Sequence, residues 1–215
     1  MTDKQRHLDR ANLELSEEIT LIYRNLAVYQ IIGRNWQAIK AIPTVTSFFA
    51  TIQNQSLETM VLGLSKVFER SDNFQLCSIA GVYQLATQVE MVDKGAAHAF
   101  VETYGVHVSA EWTHDVEQVF SRQRPWVKQG LRGIRTLRNT RLAHLQQDAP
   151  EVMDLPNIAE VEALLTYASN FHVFITSAFC GVVPRLSLDD PELKSSLLSV
   201  LRCVGVPEPV STFVP

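Results

Sequence analysis

Apolar residues along most of this chain recur at helical spacing. Over 5–32 they step mostly by three, four or seven positions, which places them on one face of a long helix. Similar patterns cover 43–70 and 76–92, and a shorter helix is expected near 96–104. No segment alternates with period two over a useful length, so the pattern predicts helices and no sheet.

Helix boundaries in the second half of the chain are marked by proline and by capping residues. A segment over 113–142 contains Pro125, which predicts a kink or a split there. Asn157 is typical of an N-cap, and its helix is expected to end near Gly181. Asp190 followed by Pro191 predicts the start of the last helix, which ends before residue 205.

These segments predict an all-α fold, an elongated bundle of five to seven helices. We expect one domain over 1–205 and an extended tail over 206–215, which contains three prolines. The composition, with 46% hydrophobic and 20% charged residues, is that of a folded chain and excludes a disordered or collagen-like protein. A net charge of −4 argues against binding nucleic acid through bulk charge, so any such contact requires a local basic patch.

The chain carries no evident export, membrane or metal-binding signal. The first ten residues are mostly polar and lead into no apolar signal region, so a cytoplasmic protein is expected. The most apolar stretch, 171–183, is shorter than the roughly 20 residues that a membrane-spanning helix needs. Cys77, Cys180 and Cys203 are far apart and lack the spacing of a disulfide framework or a zinc site, so neither metal nor cofactor is expected.

One stretch of the chain concentrates positive charge. Between Gln118 and Gln147 there is no acidic residue. The basic residues of this stretch are Arg122, Arg124, Lys128, Arg132, Arg135, Arg138 and Arg141. Most of them fall within about a third of the helix circumference, beside an apolar arc. A solvated surface would explain such a face, but solvated faces gain stability from interleaved acids, and none is present. These basic residues therefore form a stripe along one helix face that suits phosphate contacts.

The stripe ends in the string Leu-Arg-Asn-Thr-Arg-Leu-Ala-His, residues 137–144. An Arg some six positions before a His is common by chance. Requiring an Asn directly after that Arg reduces the expectation to roughly one in a hundred sequences of this composition. The pattern Arg-Asn-x4-His on a helix resembles the HEPN superfamily, and the full string is similar to the AbiU-type subgroup found among phage abortive-infection proteins. Residues 59–68 are a second, weaker similarity.

This resemblance implies a helical bundle that forms a homodimer. In catalytic HEPN proteins the two motifs face each other across the dimer interface and form a metal-independent endoribonuclease site. The expected function is therefore cleavage of RNA, as a toxin or antiphage effector that an antitoxin protein can control. Some toxins of this superfamily carry a modified Tyr two positions after the histidine. This chain has Gln146 there, so that form of neutralisation is not expected.

The residue types in the motif suit this chemistry. His144 can transfer a proton near pH 7, since its ordinary pKa is about 6.5. Arg138 is permanently charged and can stabilise the developing phosphorane, and Asn139 can orient the histidine or donate to a phosphate oxygen. The substrate's own 2′-hydroxyl would be the nucleophile, giving 2′,3′-cyclic phosphate and 5′-hydroxyl ends. Further phosphate contacts are expected from Arg135 and Arg141, then from Arg132 and Lys128.

Helix geometry bears on how such a site is built. On a continuous helix Arg138 and His144 lie about 9 Å apart along the axis and about 120° apart around it. Either the helix ends near Ala143 and His144 turns back, or the two residues complement those of a second copy. Both options favour a composite site at a two-fold interface. Arg141 and His144 fall toward the apolar side of the helix, which fits a dimer cleft better than a monomer core.

Three other interpretations remain open from the sequence. His144 can serve only as a cation at the C-terminal end of its helix, where the dipole favours it. A HEPN dimer can also lack catalysis and bind RNA, a nucleotide or a protein partner. A helical adaptor without any ligand is the third interpretation.

Overall fold

The computed structural model describes residues 2–69, 78–138, 157–181 and 190–207. These segments are helical and contain no strand. The first helices are α1 (Asp3–Arg34), α2 (Trp36–Lys40), α3 (Pro43–Val67) and α4 (Ile79–Ala86). They are followed by α5 (Lys94–Thr103), α6 (Trp112–Leu137), α7 (Ile158–Ile175) and α8 (Pro191–Cys203). A π-helical segment, Thr176–Cys180, continues α7.

The all-α prediction is confirmed, with eight α-helices in the described segments instead of five to seven. The additional helix is α2, whose five residues are too short to carry a periodic pattern. The segment predicted over 76–92 forms a shorter helix. The Ser78 side chain accepts a hydrogen bond from the Gly81 amide and starts α4, which ends at Ala86.

Pro125 does not split its segment, and the kink that was the other predicted outcome stays a prediction. α6 runs from Trp112 to Leu137 with Pro125 inside it. A proline in a helix removes one N–H donor and so deprives the carbonyl four residues earlier of its partner. Here that carbonyl belongs to Ser121, and both Ser121 and Pro125 are exposed. Water can therefore solvate the carbonyl, which lowers the cost of keeping the helix continuous.

The N-caps predicted at Asn157 and Asp190 are confirmed. The Asn157 side chain accepts a hydrogen bond from the Ala159 amide at 3.0 Å, and the Glu160 carboxylate accepts one from the Asn157 amide at 3.3 Å. At α8 the Asp190 carboxylate accepts a hydrogen bond from the Leu193 amide at 2.9 Å, with Pro191 as the first helical residue. Each cap satisfies amide groups that the first turn leaves without a partner.

The chain forms two compact units. The first consists of Met1–Thr20 and Val61–Leu186, and the second of Leu21–Met60 and Ser187–Pro215. The second unit has its own small core of five buried residues, which are Ile32, Ile39, Phe49, Leu201 and Val206. Compact units are not by themselves independent domains, so the assignment of one domain over 1–205 stays a prediction.

The first unit has an aromatic core built around α7. Phe171 is fully buried, with ring centroids 5.9 Å from Phe120 and 6.0 Å from Phe174. Phe174 in turn stacks on Phe100 at 4.8 Å. Residues 158–180 are long and apolar enough to cross a membrane, but 67% of their most apolar window is buried in the protein. That degree of burial is typical of a core helix.

A buried polar cluster joins α1 to the end of α7 within the first unit. The Asn12 amide donates a hydrogen bond to the Thr176 hydroxyl at 2.9 Å, and the Asn12 carbonyl oxygen lies 3.0 Å from the His172 Nδ1 atom. Thr176 also donates to the His172 carbonyl at 2.8 Å. Burial lowers the pKa of His172, opposed by its contact with Asn12, so this histidine is a neutral structural group at pH 7.

Candidate functional site

The helix α6 has one buried face and one basic face. Leu131, Ile134 and Leu137 are buried, as expected for the apolar arc of the sequence pattern. Arg132 and Arg135 lie between them in sequence and are exposed. The helical period alone explains this separation, because residues three or four positions apart share a face. The exposed face of α6 will be called the basic face; it carries Arg124, Lys128, Arg132 and Arg135.

A glycine lets α6 lie close to α7. Gly130 is buried on the inner face of α6, and a Cβ atom built there would lie 3.2 Å from the Leu164 Cδ1 atom. Few Cβ atoms make contacts this short, so a larger side chain would push the two helices apart. The inner face of α6 is therefore anchored on α7, which holds the basic face outward.

The cations of the basic face form no ion pair with an acid among the described residues. Across the parts of the chain that the structure describes, the ion pairs are Arg6–Asp3, Arg10–Glu14, Arg24–Asp190 and Lys66–Glu18. None of them involves the basic face. Arg122 on the same helix is different, because its guanidinium donates a hydrogen bond to the Gly105 carbonyl and so binds a loop. The four cations of the basic face are exposed, so together they make this side of α6 positively charged.

Arg138 is the last described residue of the predicted motif. It follows Leu137 at the C-terminal end of α6 with helical backbone angles, and it is half-buried. The structure therefore places Arg138 in helical continuation of the basic face that includes Lys128, Arg132 and Arg135. Asn139, Arg141 and His144 lie outside the described residues, so their predicted roles stay predictions.

A groove lies beside the basic face, within the first unit. Its volume is about 610 Å³, and residues of α4, α6 and α7 line it together with Phe68 directly after α3. Arg124, Lys128 and Arg135 of the basic face line one side of it. The groove is not evident from the sequence, because its other residues come from separate helices and no local pattern relates them.

Two groove residues that sequence reasoning missed form a contact of their own. The Tyr83 hydroxyl of α4 donates hydrogen bonds to the Thr113 carbonyl at 3.2 Å and to the Glu117 carboxylate at 3.4 Å. Burial, together with the charge and hydrogen bond of Glu117, raises the pKa of Tyr83 well above its ordinary value. Tyr83 is therefore a neutral hydrogen-bond donor at any physiological pH. Among the described residues there is no cluster of three His, Cys, Asp or Glu side chains able to hold a metal ion.

The helical fold, with a basic helix that leads into an Arg-Asn-x4-His motif, defines a protein of the HEPN class. The family model of HEPN AbiU2 proteins matches residues 4–192. The chain therefore belongs to the AbiU2 family and carries a HEPN domain related to abortive infection, as the resemblance of residues 137–144 predicted. Searches of curated proteins and of solved structures find no match.

Proposed function

We propose that this protein is a metal-independent endoribonuclease whose site is shared by two copies of the chain, acting as a toxin or antiphage effector in the cytoplasm. The observation that carries the proposal is the basic face of α6. Its exposed cations have no acidic partner in the described segments and lead directly to Arg138 of the motif. Membership of the AbiU2 family supports the setting in abortive infection.

The proposed division of labour follows from charge and position. Lys128, Arg132 and Arg135 bind backbone phosphates and direct the RNA strand toward the end of α6. Arg138 stabilises the negative charge that develops on the scissile phosphate. His144 transfers protons to and from the 2′-hydroxyl and the leaving 5′-oxygen, while Asn139 orients it. Arg141 adds a phosphate contact. A second copy of the chain supplies the facing set.

The test of this function is cleavage of RNA without metal. Purified protein incubated with total RNA in excess EDTA is expected to cleave it, since the proposed reaction uses only side chains and the substrate's 2′-hydroxyl. The products are expected to carry 2′,3′-cyclic phosphate and 5′-hydroxyl ends. Enzymes that act only on particular RNA ends identify these groups, because each group is a substrate for some of the enzymes and resistant to others. Cleavage that stops in EDTA would contradict the mechanism, and so would 5′-phosphate ends.

The shared site has a test of its own. Sedimentation equilibrium of the full chain at micromolar concentration is expected to give twice the monomer mass of 24.2 kDa. A monomer under the conditions in which RNA is cleaved would contradict the composite site while leaving RNA cleavage itself established. RNA binding without cleavage by a dimer would instead favour a HEPN module that lacks catalysis.

Removing charge from the basic face is expected to weaken RNA binding and to reduce its salt dependence. Each phosphate contact contributes roughly 0.7 to the slope of log affinity against log salt for single strands. The double variant Arg132→Ala with Arg135→Ala should therefore lower that slope by about 1.4. Fluorescence anisotropy with a labelled RNA strand at several salt concentrations measures it.

The matched control for this prediction lies on α1. Arg6 and Arg10 are exposed like the two residues of the basic face, but each forms an ion pair with an acid on its own helix. The variant Arg6→Ala with Arg10→Ala removes the same charge from the protein and should leave the slope nearly unchanged. Equal slopes for the two double variants would show that net charge, and not the basic face, governs RNA binding.

A further inference from the structure

The groove beside the basic face combines aromatic rings with cations. The aromatic residues that line it in the described part of the chain are Phe68, Tyr83, Phe120 and Tyr167. Phe68, Tyr83 and Phe120 are only partly buried, so parts of their rings are accessible from the groove. They come from three different parts of the chain, and Tyr83 and Phe120 hold each other edge to face at 5.0 Å. A planar ligand could stack or pack against such a surface.

Cations outnumber acids among the described residues that line the groove. Arg124, Lys128 and Arg135 lie along α6, one to two turns apart, and all three side chains are exposed. Among the described residues of the lining the one acid is Glu117, whose carboxylate accepts the hydrogen bond of Tyr83. The excess of cations favours an anionic ligand. The Glu117 carboxylate and the Tyr83 hydroxyl oxygen, whose proton is already donated, offer acceptors to N–H groups at the edge of its planar part.

These features together select one kind of ligand. Inorganic phosphate would use the cations but not the aromatic surface, and an apolar molecule would use the rings but leave three cations unused. A nucleotide has both an aromatic base and an adjacent phosphate. The volume of about 610 Å³ falls within the range of about 300–1,000 Å³ that is usual for small-ligand sites.

We infer that the groove binds one nucleotide of the RNA strand, with its base among the aromatic residues and its phosphate on Lys128 and Arg135. This assignment rests on the proposed function for the identity of the strand. It adds that recognition of the substrate includes a base and is not limited to phosphates. Because Arg135 and Arg138 are on the same basic helix, the bound nucleotide lies in the strand that leads to the end of α6.

The inference is tested by filling the groove. Gln84 is exposed and lines the groove from α4, whereas Gln88 is exposed just after α4 and does not line it. Gln84→Trp should therefore occupy the base site, and Gln88→Trp is the matched control. Thr87→Trp, at a second exposed lining position, repeats the test with a different side chain. Circular dichroism and the thermal midpoint verify that each variant is folded.

The probes are two fluorescent 2′-O-methyl RNA strands of equal length and charge, one with bases and one abasic. Neither can be cleaved, because the 2′-oxygen is blocked. Wild type and Gln88→Trp are expected to bind the strand with bases about tenfold more tightly, as for one stacked base. In Gln84→Trp and Thr87→Trp this preference should fall to about one. Equal binding of both strands by wild type would overturn the inference, as would an unchanged preference in both groove variants.

Two further results separate this inference from its alternatives. Adenosine or uridine monophosphate is tested as a competing ligand. If it binds wild type as tightly as the strand does and fails to bind Gln84→Trp, the assignment to RNA would be overturned in favour of a free nucleotide. The strands are uncleavable, so their binding is independent of catalysis. A base preference that is lost in Gln84→Trp therefore supports the groove even if wild type fails to cleave ordinary RNA. If wild type cleaves RNA but shows no preference for the strand with bases, only the inference about the groove would be overturned.

Discussion

His144→Ala is expected to reduce metal-independent RNA cleavage by about 10²–10⁴-fold, the usual contribution of a positioned acid or base. The imidazole is the group of the Arg-Asn-x4-His motif that can both accept and donate a proton near neutral pH. Without it, the 2′-hydroxyl must lose its proton to water. Single-turnover cleavage of a labelled RNA strand in EDTA measures the rate of the chemical step for wild type and variant.

A second histidine provides the control for this experiment. His98 is exposed on α5 and belongs to no motif, so His98→Ala should cleave at the wild-type rate. RNA binding by His144→Ala should stay within about threefold of wild type, because the phosphate contacts of the basic face are unchanged. A His144→Ala protein as active as His98→Ala would refute the assigned chemistry. If His144→Ala loses both RNA binding and helical structure, its loss of cleavage would be explained by misfolding and not by the missing proton transfer.

Phe171→Ala is expected to cause a large loss of stability in the first unit. Phe171 is fully buried on α7, and its ring lies between those of Phe100, Phe120 and Phe174. Truncating such a side chain removes buried apolar surface and leaves a cavity, which together cost about 3–5 kcal/mol. For a chain of this size that loss should lower the thermal midpoint by roughly 6–20 °C.

A neighbouring residue tests whether burial is the cause. Val173 lies two positions further along α7 and is 40% exposed. Val173→Ala should change the free energy of unfolding by no more than about 0.5 kcal/mol, as is usual for surface positions. Urea unfolding followed by circular dichroism compares the two variants. Similar losses for both would mean that the aromatic cluster around Phe171 does not govern the stability of this unit.

Sequence reasoning succeeded where the determining interactions are local. The long helices α1, α3 and α6 were predicted because apolar spacing repeats over several turns. The N-caps at Asn157 and Asp190 were also predicted, since a cap depends on residues within one turn of each other. The HEPN assignment came from a string of eight residues, and the family comparison confirms it.

It failed where the outcome depends on surroundings. The sequence left open whether Pro125 splits or only kinks its helix, because the outcome depends on the solvation of the Ser121 carbonyl, which is a property of the folded surface. The short helix α2 carries too few residues for a periodic signal, and its residue Ile39 is held in the core of the second unit.

The sequence by itself determined that this chain is helical, that it carries a basic helix without interleaved acids, and that this helix ends in a HEPN motif. These are properties of residue order, which helical periodicity converts directly into faces. Only the tertiary structure decided what lies beside that helix. Tyr83 and Glu117 are 34 positions apart, and they meet because α4 and α6 pack within one unit, forming a groove that no local spacing encodes.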